Sequence, residues 1–266
     1  MNRERLQRIR NFQSEDWWPA LVIRPISIAI MLVIADWRFV TANRLTTLSN
    51  LCKLAGAWLL LRPEHWVLCV VLLQLGLIFD HLDGTLARYR RTFTKLGSYY
   101  DKVSDMITWA VIVMVLGWQA YRTSADAMYL VFAGAAVAAL ELRGYMKWLC
   151  QAETERLRWL EAKQDPAGTV ARYTAPIVIK PPPERSARDW AIWFAKKVAV
   201  VFVFEEADLW FWLCLGLLID RLDLVLWLLM LTQCAGAAAM VIVRAVRMAR
   251  ADRQIHALES TTSSRL

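Results

Sequence analysis

The sequence predicts an all-α, polytopic membrane helix bundle: six transmembrane helices preceded by an N-terminal interfacial helix. Three observations carry this expectation. The 266 residues are 58% hydrophobic, with a mean hydropathy of +0.34, and the apolar residues come in blocks rather than periodically, as a soluble core would need. Fourteen Trp fit a chain that crosses two bilayer interfaces repeatedly, where indole rings are favoured. Basic residues also segregate to alternate connecting segments, the pattern that orients membrane proteins.

A spanning helix needs about 20 mostly apolar residues. The chain supplies six such runs: Leu45–Leu61, His65–Phe79, Leu96–Ala120, Ala127–Leu142, Ala199–Ile219 and Leu222–Val243. Ahead of them, Leu21–Ala35 is apolar but broken by Arg24-Pro25 and closed by Asp36. Its uncharged core, Ile26–Ala35, covers only about 15 Å of helix, half a bilayer core, so it reads as interfacial or half-inserted. With the N-terminus inside, 27 of the 32 Lys and Arg fall in inner segments, whereas the outer turns hold only Arg62, Arg122 and Arg221. Both termini are therefore expected in the cytoplasm; a seventh span would destroy the asymmetry. The charged Met1–Asp16 carries no signal-peptide pattern.

Three regions follow. Residues 1–40 form a cytoplasmic N-terminus and interfacial helix, 41–246 the membrane domain, and 247–266 a polar tail expected to be disordered. The membrane domain includes an inner loop, 144–197, in which Met146–Lys163 continues the fourth helix before Pro181-Pro182-Pro183 forbids helix. The net charge of +8 lies beside apolar runs, which points to anionic lipid and orientation rather than nucleic acid. The five Cys are scattered without a CxxC pair, and the three His are far apart, so neither a disulfide framework nor a His-based metal site is indicated.

Ionisable residues within spans are costly and are functional candidates by default. Asp80 and Asp83, three apart, share a helical face at the inner end of the second span, and Asp101 and Asp105, four apart, share one at the start of the third. The basic link Arg88–Lys95 makes the two helices antiparallel neighbours, so the pairs can face each other. Four converging carboxylates need cations between them, and hard oxygen ligands select Mg²⁺ or Mn²⁺. Gly84 and Ala87 leave room for a ligand at the helix backbone, and Arg88 offers a fork for phosphate. The plain alternative, that these Asp are solvated helix caps, suits one pair better than two pairs on adjoining helix ends.

The stretch Asp80-His81-Leu82-Asp83-Gly84-Thr85-Leu86-Ala87-Arg88, followed by Gly97, Asp101 and Asp105, resembles the CDP-alcohol phosphatidyltransferase signature D-x-x-D-G-x-x-A-R-x8-G-x3-D-x3-D, with all eight fixed positions present. Upstream, Thr41-Ala42-Asn43-Arg44-Leu45-Thr46 resembles the T-P-N-x-[IL]-T entry to the first span, with Ala42 in place of Pro. The resemblance implies that Asp80, Asp83, Asp101 and Asp105 hold two divalent ions, Mg²⁺ or Mn²⁺, and that Asp105 doubles as general base. It further implies a CDP site lined by Asn43, Thr46, Gly84, Ala87, Arg88, Thr94 and Gly97. The implied reaction moves a substituted phosphoryl group from a CDP-alcohol donor to an acceptor hydroxyl, with release of CMP, in phospholipid or polar-lipid synthesis. A homodimer and a multi-pass protein with its active site facing the cytoplasm complete the expectation.

His81 points away from its Asp neighbours, Thr85 and Leu86 read as packing, and Lys102 as a screening charge. Candidates for the acceptor side are Glu141, Arg143, Lys196, Lys197, Glu205, Glu206 and Asp208. Two rival readings exist: a cation or proton transporter using the four carboxylates, and a catalytically silent membrane scaffold. The transporter does not account for Gly84, Ala87, Arg88 and Gly97 at their spacings, and the complete set of four Asp argues against the scaffold.

Overall fold

The computed structural model describes residues 3–10, 18–165, 186–200 and 206–263, and every regular element among them is helical. Packing divides the chain into two compact units, residues 1–137 with 185–232, and residues 138–184 with 233–266. The first unit begins with α1 (Arg3–Arg10) and α2 (Arg24–Ile34). A π-helical turn, Pro19–Ile23, runs straight into α2, with the Arg24 N–H bonded back to the Pro19 carbonyl. Pro25 lacks an N–H and would clash with a regular i−4 carbonyl, and the wider turn absorbs that defect. Arg24-Pro25 therefore deforms this helix without interrupting it.

The next three helices build the centre. Thr41 caps α3 (Ala42–Leu60) by accepting the Arg44 N–H at 3.3 Å. A short 3₁₀ turn, Pro63–His65, leads into α4 (Trp66–Arg90), and α5 (Lys95–Ser124) follows four residues later. α4 stops where Arg91 turns left-handed at φ 55°, and the Thr92 N–H returns to the Ala87 carbonyl at 3.0 Å. α3 and α4 approach closely because small residues line their contact. The Ser49 hydroxyl donates to the Gly76 carbonyl at 2.8 Å, and the Cys69 thiol to the Gly56 carbonyl at 3.2 Å.

α6 (Met128–Gln164) is a single helix, as the reading of Met146–Lys163 anticipated. It is followed by α7 (Ala187–Val200), α8 (Glu206–Leu218) and α9 (Leu222–Ser263). α8 packs on α4 and α5: the Gln74 amide donates to the Trp210 carbonyl at 3.4 Å, and the Trp109 and Trp210 rings meet with centroids 4.5 Å apart. Within the second unit, the Arg143 guanidinium donates to Gln233 Oε1.

Among the described residues, four helices, α4, α5, α6 and α9, are long and apolar enough to cross a membrane. Their outward faces carry large apolar side chains in the open, among them Val67, Ile107, Val131 and Ile242, an arrangement suited to lipid rather than water. α3 has a spanning length of 19 residues, but Arg44, Asn50 and Lys53 lower its hydropathy. α8, with 13 residues, covers only about 20 Å. The predicted fifth span, Ala199–Ile219, includes residues 201–205, which lie outside the described residues, as do Glu205 and Pro181-Pro182-Pro183. One expectation needs revision. α9 continues to Ser263, so most of the tail expected to be disordered from residue 247 is helical. Arg, Met and Ala dominate Val246–Arg253 with no Gly or Pro, and such residues propagate a helix beyond the bilayer without burial.

The turn between α2 and α3 is fixed by α4. The Arg90 guanidinium donates to the carbonyls of Ala35 at 2.9 Å, Trp37 at 2.7 Å and Val40, while the Tyr89 hydroxyl reaches Asp36 at 3.0 Å. Arg5 holds the other side of Asp36 at 2.6 Å. Arg90→Ala is therefore expected to lower stability by about 3 kcal/mol, because several charge-assisted bonds are lost and their carbonyls left unmade. Unfolding in mixed micelles measures this; an unchanged midpoint would show the turn to be held by other contacts.

Candidate active site

The α4–α5 hairpin sets the acidic residues. Asp80 and Asp83 lie on the last turns of α4, and Asp101 and Asp105 on the first turns of α5. One carboxylate oxygen from each of Asp80, Asp101 and Asp105 lies within 4.8 Å of the others. Asp83 is not part of this triad; it is 6% exposed and accepts a hydrogen bond from the Thr46 hydroxyl of α3. The three oxygens form a hard, anionic donor set of the kind Mg²⁺ and Mn²⁺ take, so the residues fit a divalent ion.

Lys53 of α3 is a residue that sequence reasoning missed. Its Nζ lies 3.0 Å from Asp80 Oδ1 and 2.7 Å from Asp105 Oδ1, and the residue is only 1% exposed. The available signal was a charged residue in the middle of a predicted span, which should by default have been paired with an intramembrane carboxylate.

Beside the triad lies a cleft of about 190 Å³. All seven residues expected at the nucleotide site line it: Asn43 and Thr46 from α3, Gly84, Ala87 and Arg88 from α4, and Thr94 and Gly97 at the start of α5. Asp83 and Asp101 also border it, so the cleft and the triad share a wall. Gly97 keeps the cleft open. A Cβ there would come within 2.8 Å of Thr94 Oγ1 and 3.2 Å of Asn43 Oδ1. Thr94 itself caps α5 by accepting the Gly97 N–H at 2.9 Å.

The N-termini of α3 and α5 both open onto this cleft, through Ala42 and Asn43 of one helix and Gly97 and Ser98 of the other. The positive ends of the helix dipoles there favour an anion such as a pyrophosphate, while the N–H groups of Gly97 and Ser98 are themselves bonded to Thr94. Sequence reading did not reach this convergence, nor the lining by Thr92, Phe93 and Ser98. Lys102, read as a screening charge, also lines the cleft and lies 3.3 Å from Ser98 Oγ.

Other candidates fall elsewhere. His81 Nδ1 is 3.0 Å from the Leu77 carbonyl of its own helix. Thr85 and Leu86 are buried in packing. Glu141 and Arg143 belong to the second unit, and the side chains of Lys196, Lys197, Glu206 and Asp208 lie outside the described residues.

The sequence pattern of the CDP-alcohol phosphatidyltransferase family matches residues 39–203, more than half of the chain. The chain belongs to that family, and with its four long apolar helices it is an integral membrane protein. Over 79 residues it is 35% identical to a phosphatidylinositol phosphate synthase of Corynebacterium glutamicum. That stretch is 30% of this chain and 36% of the relative, so the match spans about a third of the relative's length.

Proposed function

We propose that this protein is a metal-dependent phosphotransferase that moves a substituted phosphoryl group from a CDP-alcohol to an acceptor hydroxyl and releases CMP, in phospholipid or related polar-lipid synthesis. The observation that carries the reading is the shared wall: an anion-seeking cleft at two helix N-termini abuts a carboxylate triad through Asp101. A divalent ion, Mg²⁺ or Mn²⁺, held by Asp80, Asp101 and Asp105 would polarise the donor's pyrophosphate and stabilise the departing CMP. Asp83, which the resemblance makes a fourth ligand, is oriented by Thr46 at the cleft edge.

The chain's own residues do the rest. Arg88 offers its guanidinium to a phosphate, and the α3 and α5 N-termini add the positive ends of their helix dipoles. Asn43 and Thr94 present side-chain oxygens to the nucleotide, while Gly84, Ala87 and Gly97 leave it space. Asp105, whose Oδ1 faces Lys53, would take the acceptor's proton on its carboxylate. Such chemistry gains its rate mainly from positioning and charge stabilisation.

The wider assignment follows the same reading. Residues 41–246 are the transferase domain, with six spans, both termini in the cytoplasm and the cleft facing it. The helix over Pro19–Ile34 lies at the interface, and the protein works as a homodimer. The relative's name makes a phosphatidylinositol phosphate the first product to test for, with CDP-diacylglycerol as donor and an inositol phosphate as acceptor.

The experiment is to incubate purified protein with Mg²⁺, CDP-diacylglycerol or soluble CDP-alcohols, and a panel of alcohol acceptors, and to identify the lipid product by mass spectrometry. A product that needs the CDP donor is expected. Metal-driven ion flux into liposomes, without product from any pair, would favour the transporter; neither product nor flux would favour the scaffold.

A further inference from the structure

We propose that Lys53 is a resident cation of the acidic centre, standing in for one of the two divalent ions that the family resemblance implies, so that the centre takes a single divalent ion. The inference rests on the reading of Asp80, Asp101 and Asp105 as a metal site.

The placement of Lys53 is built into the fold. It lies in an apolar run of α3, Leu51-Cys52-Lys53-Leu54, where an unpaired charge would be very costly. Its stem passes over Gly76 of α4: a Cβ on that glycine would fall 2.8 Å from Lys53 Cγ and 3.2 Å from the Ser49 carbonyl. Gly76 therefore supplies the channel along which the lysine reaches the acidic centre. The ammonium then lies between Asp80 Oδ1 and Asp105 Oδ1, with the Trp210 ring on a further side at 5.6 Å from Nζ to centroid. At 1% exposure it has no water to turn towards.

This arrangement has consequences for metal. Asp80 and Asp105 are two of the three triad members, and the Lys53 ammonium fills the gap between their Oδ1 atoms. An ammonium in that gap already satisfies one oxygen of each carboxylate. A divalent ion brought there as well would meet a fixed positive charge at close range, in surroundings that screen it poorly. A single ion drawing on Asp101 and on the remaining oxygens of Asp80 and Asp105 meets no such conflict in the gap. Lys53 also holds the carboxylates together before metal arrives, so the ion enters a formed site.

The test counts ions rather than turnover. Full-length protein in detergent micelles is titrated with Mn²⁺, and free Mn²⁺ is followed by electron paramagnetic resonance. One ion per chain is expected for the wild type and for Lys53→Arg. Lys53→Met is expected to bind a second ion, or to bind the first at least tenfold more tightly. Two ions in the wild type overturn the inference, while loss of both in Asp101→Asn leaves the metal-site reading standing. A Lys53→Met protein that matches the wild type in number and affinity also overturns it. No Mn²⁺ binding, or binding unaffected by Asp101→Asn, overturns the metal-site reading and the inference with it. Because the wild-type count decides alone, the test holds even if Lys53→Met fails to fold.

Discussion

Asp101→Asn is expected to lower CMP release by about 10³-fold or more while the helices remain assembled, since the loss of one transition-state-stabilising group from such a site costs about that much. The change is nearly isosteric and removes one negative charge from the wall common to triad and cleft. Asp101 is also the triad member that Lys53 does not bond, so its loss leaves the bonds from Lys53 to Asp80 and Asp105 in place. The effect should therefore appear in turnover and in metal affinity rather than in stability. Initial rates with saturating donor, beside an unfolding midpoint, separate the two. A variant with near-normal turnover would mean that Asp101 holds no metal; a collapsed midpoint would mean that its role is structural.

Gly76→Val should have the second-largest effect, and a different one. The added side chain would press on Lys53 Cγ, the Ser49 carbonyl and the Lys53 N, and two of those three atoms are α3 backbone that cannot rotate away. Either the α3–α4 contact opens or Lys53 is displaced from Asp80 and Asp105. Overpacking of this kind costs about 3 kcal/mol, and displacing a buried charge from its partners adds to that. Both stability and activity are expected to fall. Gly134 makes the contrast, because nothing lies within 4 Å of a Cβ there. Gly134→Ala should leave activity intact and add about 0.5–1 kcal/mol by helix propensity. Equal behaviour of the two variants would show that close approach at Gly76 does not matter.

What the sequence made legible was local. The helical spacing of Asp80, Asp83, Asp101 and Asp105 and the short link between them were enough to bring three of the four carboxylates together. The residues expected around a nucleotide reach one cleft because they lie at three adjacent helix ends joined by short turns. Asp83 departs from the group because its partner, Thr46, belongs to another helix, and only packing decides which face of α4 meets α3. Lys53 was hidden for the same reason: its partners are 27 and 52 residues away. The convergence of the α3 and α5 N-termini is likewise a tertiary fact. The end of α9 was misjudged because hydropathy marks where a helix leaves the membrane, not where it stops.

The most direct test of the account is CMP release by the purified wild-type protein, stripped with EDTA and then supplied with CDP-diacylglycerol, an alcohol acceptor and graded Mg²⁺. The account predicts no CMP without the divalent ion, restoration as it is added, and one CMP for each product lipid. CMP release that continues undiminished in EDTA, or that never appears with any donor and acceptor, would contradict it.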